Sequence, residues 1–233
     1  MDIPTFPGRY RAISAAALTF AACVIASACN KNNAGGPSGP SGSTDPVHST
    51  IVPSSNSSIV EARTSQIVTD GSPPSAVFDD FTLTSGATIG TVGWQGIYCV
   101  QTANAPAPSP TASSFTISFW ADAGGQPDVS APLKTSTYTV AQVGQTFLKN
   151  VDGFYCGTAF PTSWNFYNYS VALTTPFTAT AGTKYWLSIQ ATTPSYAVYF
   201  GWRDGVPDNH RSLQLFQGTF TSYAFDRAYS LAP

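Results

Sequence analysis

From Phe78 onward apolar side chains recur at every second position, and that period constrains the fold more than any other feature of the 233 residues. Phe115, Ile117 and Phe119 fall in one row, with Thr116, Ser118 and Trp120 in the other. Tyr185, Leu187 and Ile189 alternate with Trp186, Ser188 and Gln190, and Tyr196, Val198, Phe200 and Trp202 repeat the scheme. Successive side chains of a strand point to opposite faces, so each such row turns one face inward. No segment keeps an i, i+3, i+4 apolar stripe beyond two turns, which argues against helices. Further strands are expected over 88–99, 136–140, 169–173, 213–216 and 223–231. About nine strands separated by turn signals predict an all-β fold, a single antiparallel β-sandwich of jelly-roll type.

Composition agrees with the period. Charged residues are 9% of the chain and aromatics 13%, and aromatic and β-branched side chains suit a pleated, half-buried surface. The formal charge of −2 leaves no basic patch for phosphates, so a nucleic-acid partner is not expected. Asp122-Ala123-Gly124-Gly125-Gln126-Pro127 and Ala181-Gly182-Thr183 read as turns, where glycine takes positive φ freely. Pro106, Pro108 and Pro110 cannot donate to a ladder, which makes 103–113 an exposed loop.

The N-terminus has a different character. Arg9 and Arg11 precede an uncharged apolar run over 12–28, the layout of a secretory signal. The run ends in Ala26-Ser27-Ala28-Cys29, which resembles the lipobox of bacterial lipoproteins, with Ala26 where that family usually has Leu. The resemblance implies that Cys29 becomes the first mature residue and carries the acyl chains. Ala26 and Ala28 also satisfy an ordinary signal-peptidase site, Phe20-Ala21-Ala22-Cys23 is a second, poorer lipobox, and an uncleaved signal anchor is a further reading. Gly, Ser and Pro dominate the stretch that follows, as in a flexible tether. The expected organisation is therefore a signal over 1–28, a tether over 29–75 and the sandwich over 76–233.

With Cys23 removed and Cys29 committed to lipid, Cys99 and Cys156 are left to pair in an oxidising compartment. A loop of that length stabilises a fold by about 4 kcal/mol on the chain-entropy model. Neither cysteine has the Cys-x-x-Cys spacing of a redox or zinc site.

Several motifs together resemble a recurrent β-sandwich domain of secreted bacterial proteins: Asp79-Asp80-Phe81-Thr82-Leu83, Trp94-x-Gly96-x-Tyr98, Phe115-x-Ile117-x-Phe119-x-Ala121-Asp122, Gly182-Thr183-x-Tyr185-Trp186-Leu187-Ser188-Ile189 and a terminal Ala224-Phe225 strand. The resemblance implies an extracellular sandwich and no particular activity.

Catalytic constellations are scarce. His48 lies in the tether and His210 in a turn-rich loop, and Glu61 is the only glutamate. No nucleophile elbow, zincin helix, P-loop or dinucleotide fingerprint occurs. A glycosidase would need two of Asp79, Asp80, Asp122, Asp152, Asp204, Asp208 and Asp226 to converge. Asp79, Asp80 and Asp122 are also the candidates for a structural calcium ion, against the simpler reading that aspartates cap turns. The segment 154–169 packs seven aromatics into sixteen residues with Gly, Pro, Ser and Asn between them, and reads as a loop. Facing outward, Tyr155, Trp164, Asn165, Phe166 and Tyr167 would offer rings and amides to a glycan; facing inward, they would close the end of the sandwich. The second candidate segment is 202–211, where Trp202, Arg203, Asp204 and His210 would form the rim of a binding site or a solvated hairpin connection.

These observations together point to a non-catalytic lipoprotein of the outer membrane or cell surface, without a cofactor. Its sandwich would bind a glycan or a surface protein. The alternatives are a secreted form, a structural or protein-interaction module of the envelope, and a small aspartate-dependent hydrolase.

Overall fold

The computed structural model describes residues 45–53, 61–100, 109–151, 164–195 and 197–233. The chain divides between Ser41 and Gly42 into two units, and all of these residues belong to the second. Its strands are β1 (His48–Ser49), β2 (Ala62–Thr64), β3 (Gln66–Val68), β4 (Ser75–Thr82), β5 (Ala87–Val100), β6 (Ser114–Ala121), β7 (Lys134–Thr139), β8 (Gly144–Val151), β9 (Trp164–Ala179), β10 (Lys184–Thr193), β11 (Val198–Arg203), β12 (Ser212–Phe216), β13 (Thr219–Tyr223) and β14 (Tyr229–Ala232).

The strands form two seven-stranded sheets, and the fold is an all-β sandwich. In the first sheet β5 is the spine. β9 lies along one edge of it and carries β8, while β14 and β11 share the other edge end to end and carry β1 and β2. The second sheet runs β13-β12-β4-β3-β10-β6-β7, and β4 also pairs with β10 directly. Among the described residues every strand pairing is antiparallel except that of β3 with β10, so the sandwich is mostly and not wholly antiparallel. Where β5 meets β9 the register breaks: Ile89 pairs with Phe177 and Thr91 with Ala172, so 173–176 stand opposite Gly90 alone. Pro176 falls within that bulge, where its missing N–H costs no ladder bond.

The alternating rows explain the core. Phe115, Ile117, Phe119, Leu187 and Ile189 from the second sheet meet Val92, Trp94, Val171, Phe177, Phe200 and Tyr229 from the first. The Phe119 ring stacks on Phe177 at 4.2 Å, and Phe115 meets Trp94 edge-on at 5.2 Å. Each such pair adds about 0.5–1.5 kcal/mol beyond the area it buries.

Three expectations change. The tether does not reach 75, because β1 pairs with β14, β2 with β11, and β3 with both β10 and β4. Strands of two or three residues are too short to display a period, so the sequence does not reveal them. The strand expected over 223–231 is two, β13 and β14, pairing in different sheets. β8 was not expected at all: its register slips between Phe147 and Lys149, which breaks the alternation, and Phe147 is 60% exposed on this outer strand.

Candidate functional site

The aromatic platform expected at Trp164 is not on the surface. Trp164 and Phe166 lie on β9, an inner strand held by β5 on one side and β8 on the other, and both are fully buried with Ile97, Cys99 and Tyr199. Glycine and proline in 157–161 drew the loop too far; the pairing of Phe166 with Ile97 draws the chain inward instead. Asn165 is half-buried and accepts a hydrogen bond from the Asn150 amide at 2.8 Å. Tyr167, also half-buried, packs edge-on against Phe147. Tyr155, Cys156 and Cys29 lie outside the described residues.

The second expected site is also interior. Trp202, Arg203 and Asp204 are buried at the end of β11 and form no rim; only His210 is exposed. The Trp202 indole donates to the carbonyl of Ala228 at 3.0 Å, and Arg203 donates to the Gln95 amide oxygen at 2.9 Å. Asp204 pairs with the guanidinium of Arg227, which also donates to Ser212 Oγ at 3.1 Å and to the carbonyl of Phe225 at 3.2 Å. Asp226 accepts the backbone N–H groups of Asp208, His210 and Arg211, which organises the loop. Burial opposes charge on both members of the ion pair, raising the Asp204 carboxyl and lowering the Arg227 guanidinium, and their mutual attraction offsets part of this. Arg203 is held down to about 10 by burial, still charged at neutral pH. The sequence offered no sign of Arg227, because its partner is 23 positions away on another strand.

The calcium candidates do not assemble. Asp79 and Asp80 are successive residues of β4 and point to opposite faces of the sheet. Asp79 Oδ2 accepts the N–H of Arg227 at 2.6 Å, and Asp80 Oδ2 pairs with Lys184 Nζ at 2.7 Å. Asp122 is exposed and closes its own turn, accepting the N–H of Gly125 at 3.0 Å and the Trp186 indole N–H at 2.8 Å. Among the described residues no three His, Cys, Asp or Glu side chains are placed to hold a metal ion.

The outward face of the second sheet carries the feature that the alternation half revealed. Register places Ala76 and Phe78 of β4, Trp186 and Gln190 of β10, Trp120 of β6, and Leu213 and Leu215 of β12 on that one face. Phe78, Trp186 and Leu213 are buried there in an apolar cluster separate from the core, flanked by Ala76, Trp120, Leu215 and Phe220. An outer sheet face is ordinarily polar, so this layer has to be covered or used. The Asp122 turn covers Trp186: Arg211, lying 5.8 Å over that ring, donates to the carbonyl of Gly125 at 2.7 Å. Beyond the turn the layer is open. A groove of about 430 Å³ is lined there by Phe78 and Trp120 together with Pro73, Pro74, Ala76, Val129, Gln190, Leu215, Gln217 and Gly218. Trp120 is half-buried, its indole N–H is bound to Ser188 Oγ at 3.0 Å, and its ring meets Phe78 edge-on at 5.8 Å. The ring is thereby fixed at a position that lines the groove. The sign in the sequence was a tryptophan in each polar row, at 120 and 186, where Thr and Ser otherwise stand.

A family model described as a domain of unknown function, DUF7901, matches residues 54–217, which takes in every groove residue but Gly218. No curated protein and no solved structure matches the chain.

Proposed function

The chain belongs to the family of DUF7901 domains, and we propose that it is a non-catalytic binding module for a glycan, held at the cell surface by a lipid on Cys29. One observation carries this reading: the open groove is lined by Trp120, fixed through its indole N–H and packed edge-on with Phe78, and by the amide-bearing residues Gln190 and Gln217. A pyranose presents apolar C–H groups on one face and hydroxyls at its edge. Such a ring needs a flat aromatic surface and neutral donors and acceptors, and a pocket of a few hundred Å³ suits a ligand of that size. A non-catalytic role is supported by the state of the acids. Asp79, Asp204 and Asp226 are each 2% exposed or less and are bound to N–H groups, away from the groove. The lipid anchor rests on the lipobox-like Ala26-Ser27-Ala28-Cys29 and the Gly/Ser/Pro-rich stretch after it.

The test is retention on a glycan microarray and on insoluble cellulose and chitin, comparing the wild-type chain with Trp120→Ala. The substitution is expected to weaken binding about tenfold or more, the loss typical of a buried aromatic anchor, while circular dichroism of the domain is unchanged. Full retention by Trp120→Ala, or no retention of the wild type on any glycan, overturns the proposal.

A further inference from the structure

Two glutamines line the groove together with Trp120, and one sits where turn chemistry alone would not put it. Gln217 and Gly218 form the two-residue loop between β12 and β13, with φ of 49° and 78°. Positive φ at both central positions is the backbone of a type I′ turn, which selects Asn, Asp or Gly at its first position. Gln carries a Cβ into the left-handed region and lacks the short side chain that lets Asn bond its own backbone there. Among the described residues the other non-glycine residue with positive φ is His210, whose N–H is held by the Asp226 carboxylate. No such bond holds Gln217, and the residue lines the groove. Backbone strain retained at the rim of a site is an observation that points to use of the side chain.

Gln190 is fixed by a different means. Its amide nitrogen donates to the carbonyl of Ser75 at 3.0 Å, which orients the amide and leaves its carbonyl oxygen to accept from a ligand hydroxyl. None of the groove's lining residues is charged. An anionic polysaccharide would lose its hydration against this surface with no cation to replace it.

We propose that Gln190 and Gln217 are the specificity-determining pair of the groove, and that its ligand is an uncharged polysaccharide whose ring lies on Trp120 and whose hydroxyls are read by the two amides. The inference rests on the glycan reading of the groove and adds the ligand's charge and the residues that select it.

Calorimetric titration of the full chain with cello-, chito-, manno- and xylo-hexasaccharides, and with oligogalacturonate as the acidic counterpart, tests it at low and high salt. Binding to at least one uncharged oligosaccharide is expected, with affinity nearly independent of salt. Gln217→Asn, which gives the turn a residue it prefers, is expected to raise the melting temperature and lower the affinity roughly three- to tenfold. Gln217→Gly, which has no amide, is expected to lose at least as much affinity. If both variants bind like the wild type a sugar that Trp120→Ala no longer binds, Gln217 is a turn residue only and the inference falls while the groove reading stands. Salt-sensitive binding confined to oligogalacturonate overturns the uncharged ligand in the same way. If the wild type binds none of the oligosaccharides and nothing on the glycan array, the groove reading itself fails and takes this inference with it.

Discussion

Replacing Asp204 by Ala strands a guanidinium inside the sandwich. Arg227 is 0% exposed and Asp204 2%, so water cannot take the place of the lost carboxylate. Removing one partner of a buried pair costs about 3–5 kcal/mol, because the remaining charge stays desolvated without compensation. Arg227 keeps its bonds to Ser212 and to the carbonyl of Phe225, which places the expected cost near the lower end, about 3 kcal/mol. Against a total stability of about 5–15 kcal/mol this is a large fraction. For a domain of this size it lowers the melting temperature by roughly 6–12 °C. Equilibrium urea unfolding followed by tryptophan fluorescence measures it well, since Trp94, Trp164, Trp186 and Trp202 are all fully buried. The midpoint should fall with the m-value unchanged. The double variant Asp204→Ala/Arg227→Met removes both charges and keeps the apolar stem, and it is expected to recover most of the loss. A single-variant cost below about 1 kcal/mol, or a double variant no more stable than the single, would refute the view that an unpaired buried charge governs this end of the fold.

Asp79, whose carboxyl burial pushes well above the usual carboxylate range, makes one contribution to the pH dependence of stability. The folded chain then keeps a proton that the unfolded chain releases near pH ~4, so this contribution is complete below that pH and is lost as pH rises through the folded value. Asp79→Asn, which mimics the protonated carboxyl and can still accept the Arg227 N–H, should remove up to about 1.4 kcal/mol per pH unit of that decline. Unfolding free energies across mildly acidic to neutral pH that fall equally steeply in both chains would contradict it. For the anchor, the full chain expressed in a bacterium is expected to partition into the detergent phase and Cys29→Ser into the aqueous phase; equal partitioning of the two would rule out lipidation at that residue.

How far the fold could be read in advance differs from strand to strand. Rows such as Phe115, Ile117 and Phe119 were legible because a strand's facing depends only on the spacing of its own side chains, and all three are in the core. The opposite, polar rows of the same strands held Trp120 and Trp186, the marks of the groove, but a ring in a polar row does not say which neighbours flank it. Trp164 illustrates the limit. Its glycine- and proline-rich approach suggested a loop, and its burial comes from β5 and β8, which the local pattern does not contain. Asp204 and Arg227, and Asp79 with the backbone of Arg227, lie far apart in the chain and meet only because β11, β14 and β4 are brought to one end of the sandwich.

By itself, then, the sequence determined that the body is made of strands and which side chains each strand turns inward, since a period of two is a property of consecutive residues. Only the tertiary structure decided that short segments within 48–68 complete both sheets, that the expected aromatic loop is interior and that an open apolar layer lies over Phe78 and Trp120. Those outcomes depend on which strands become neighbours, and strand pairing is made by backbone groups that every residue but proline carries alike.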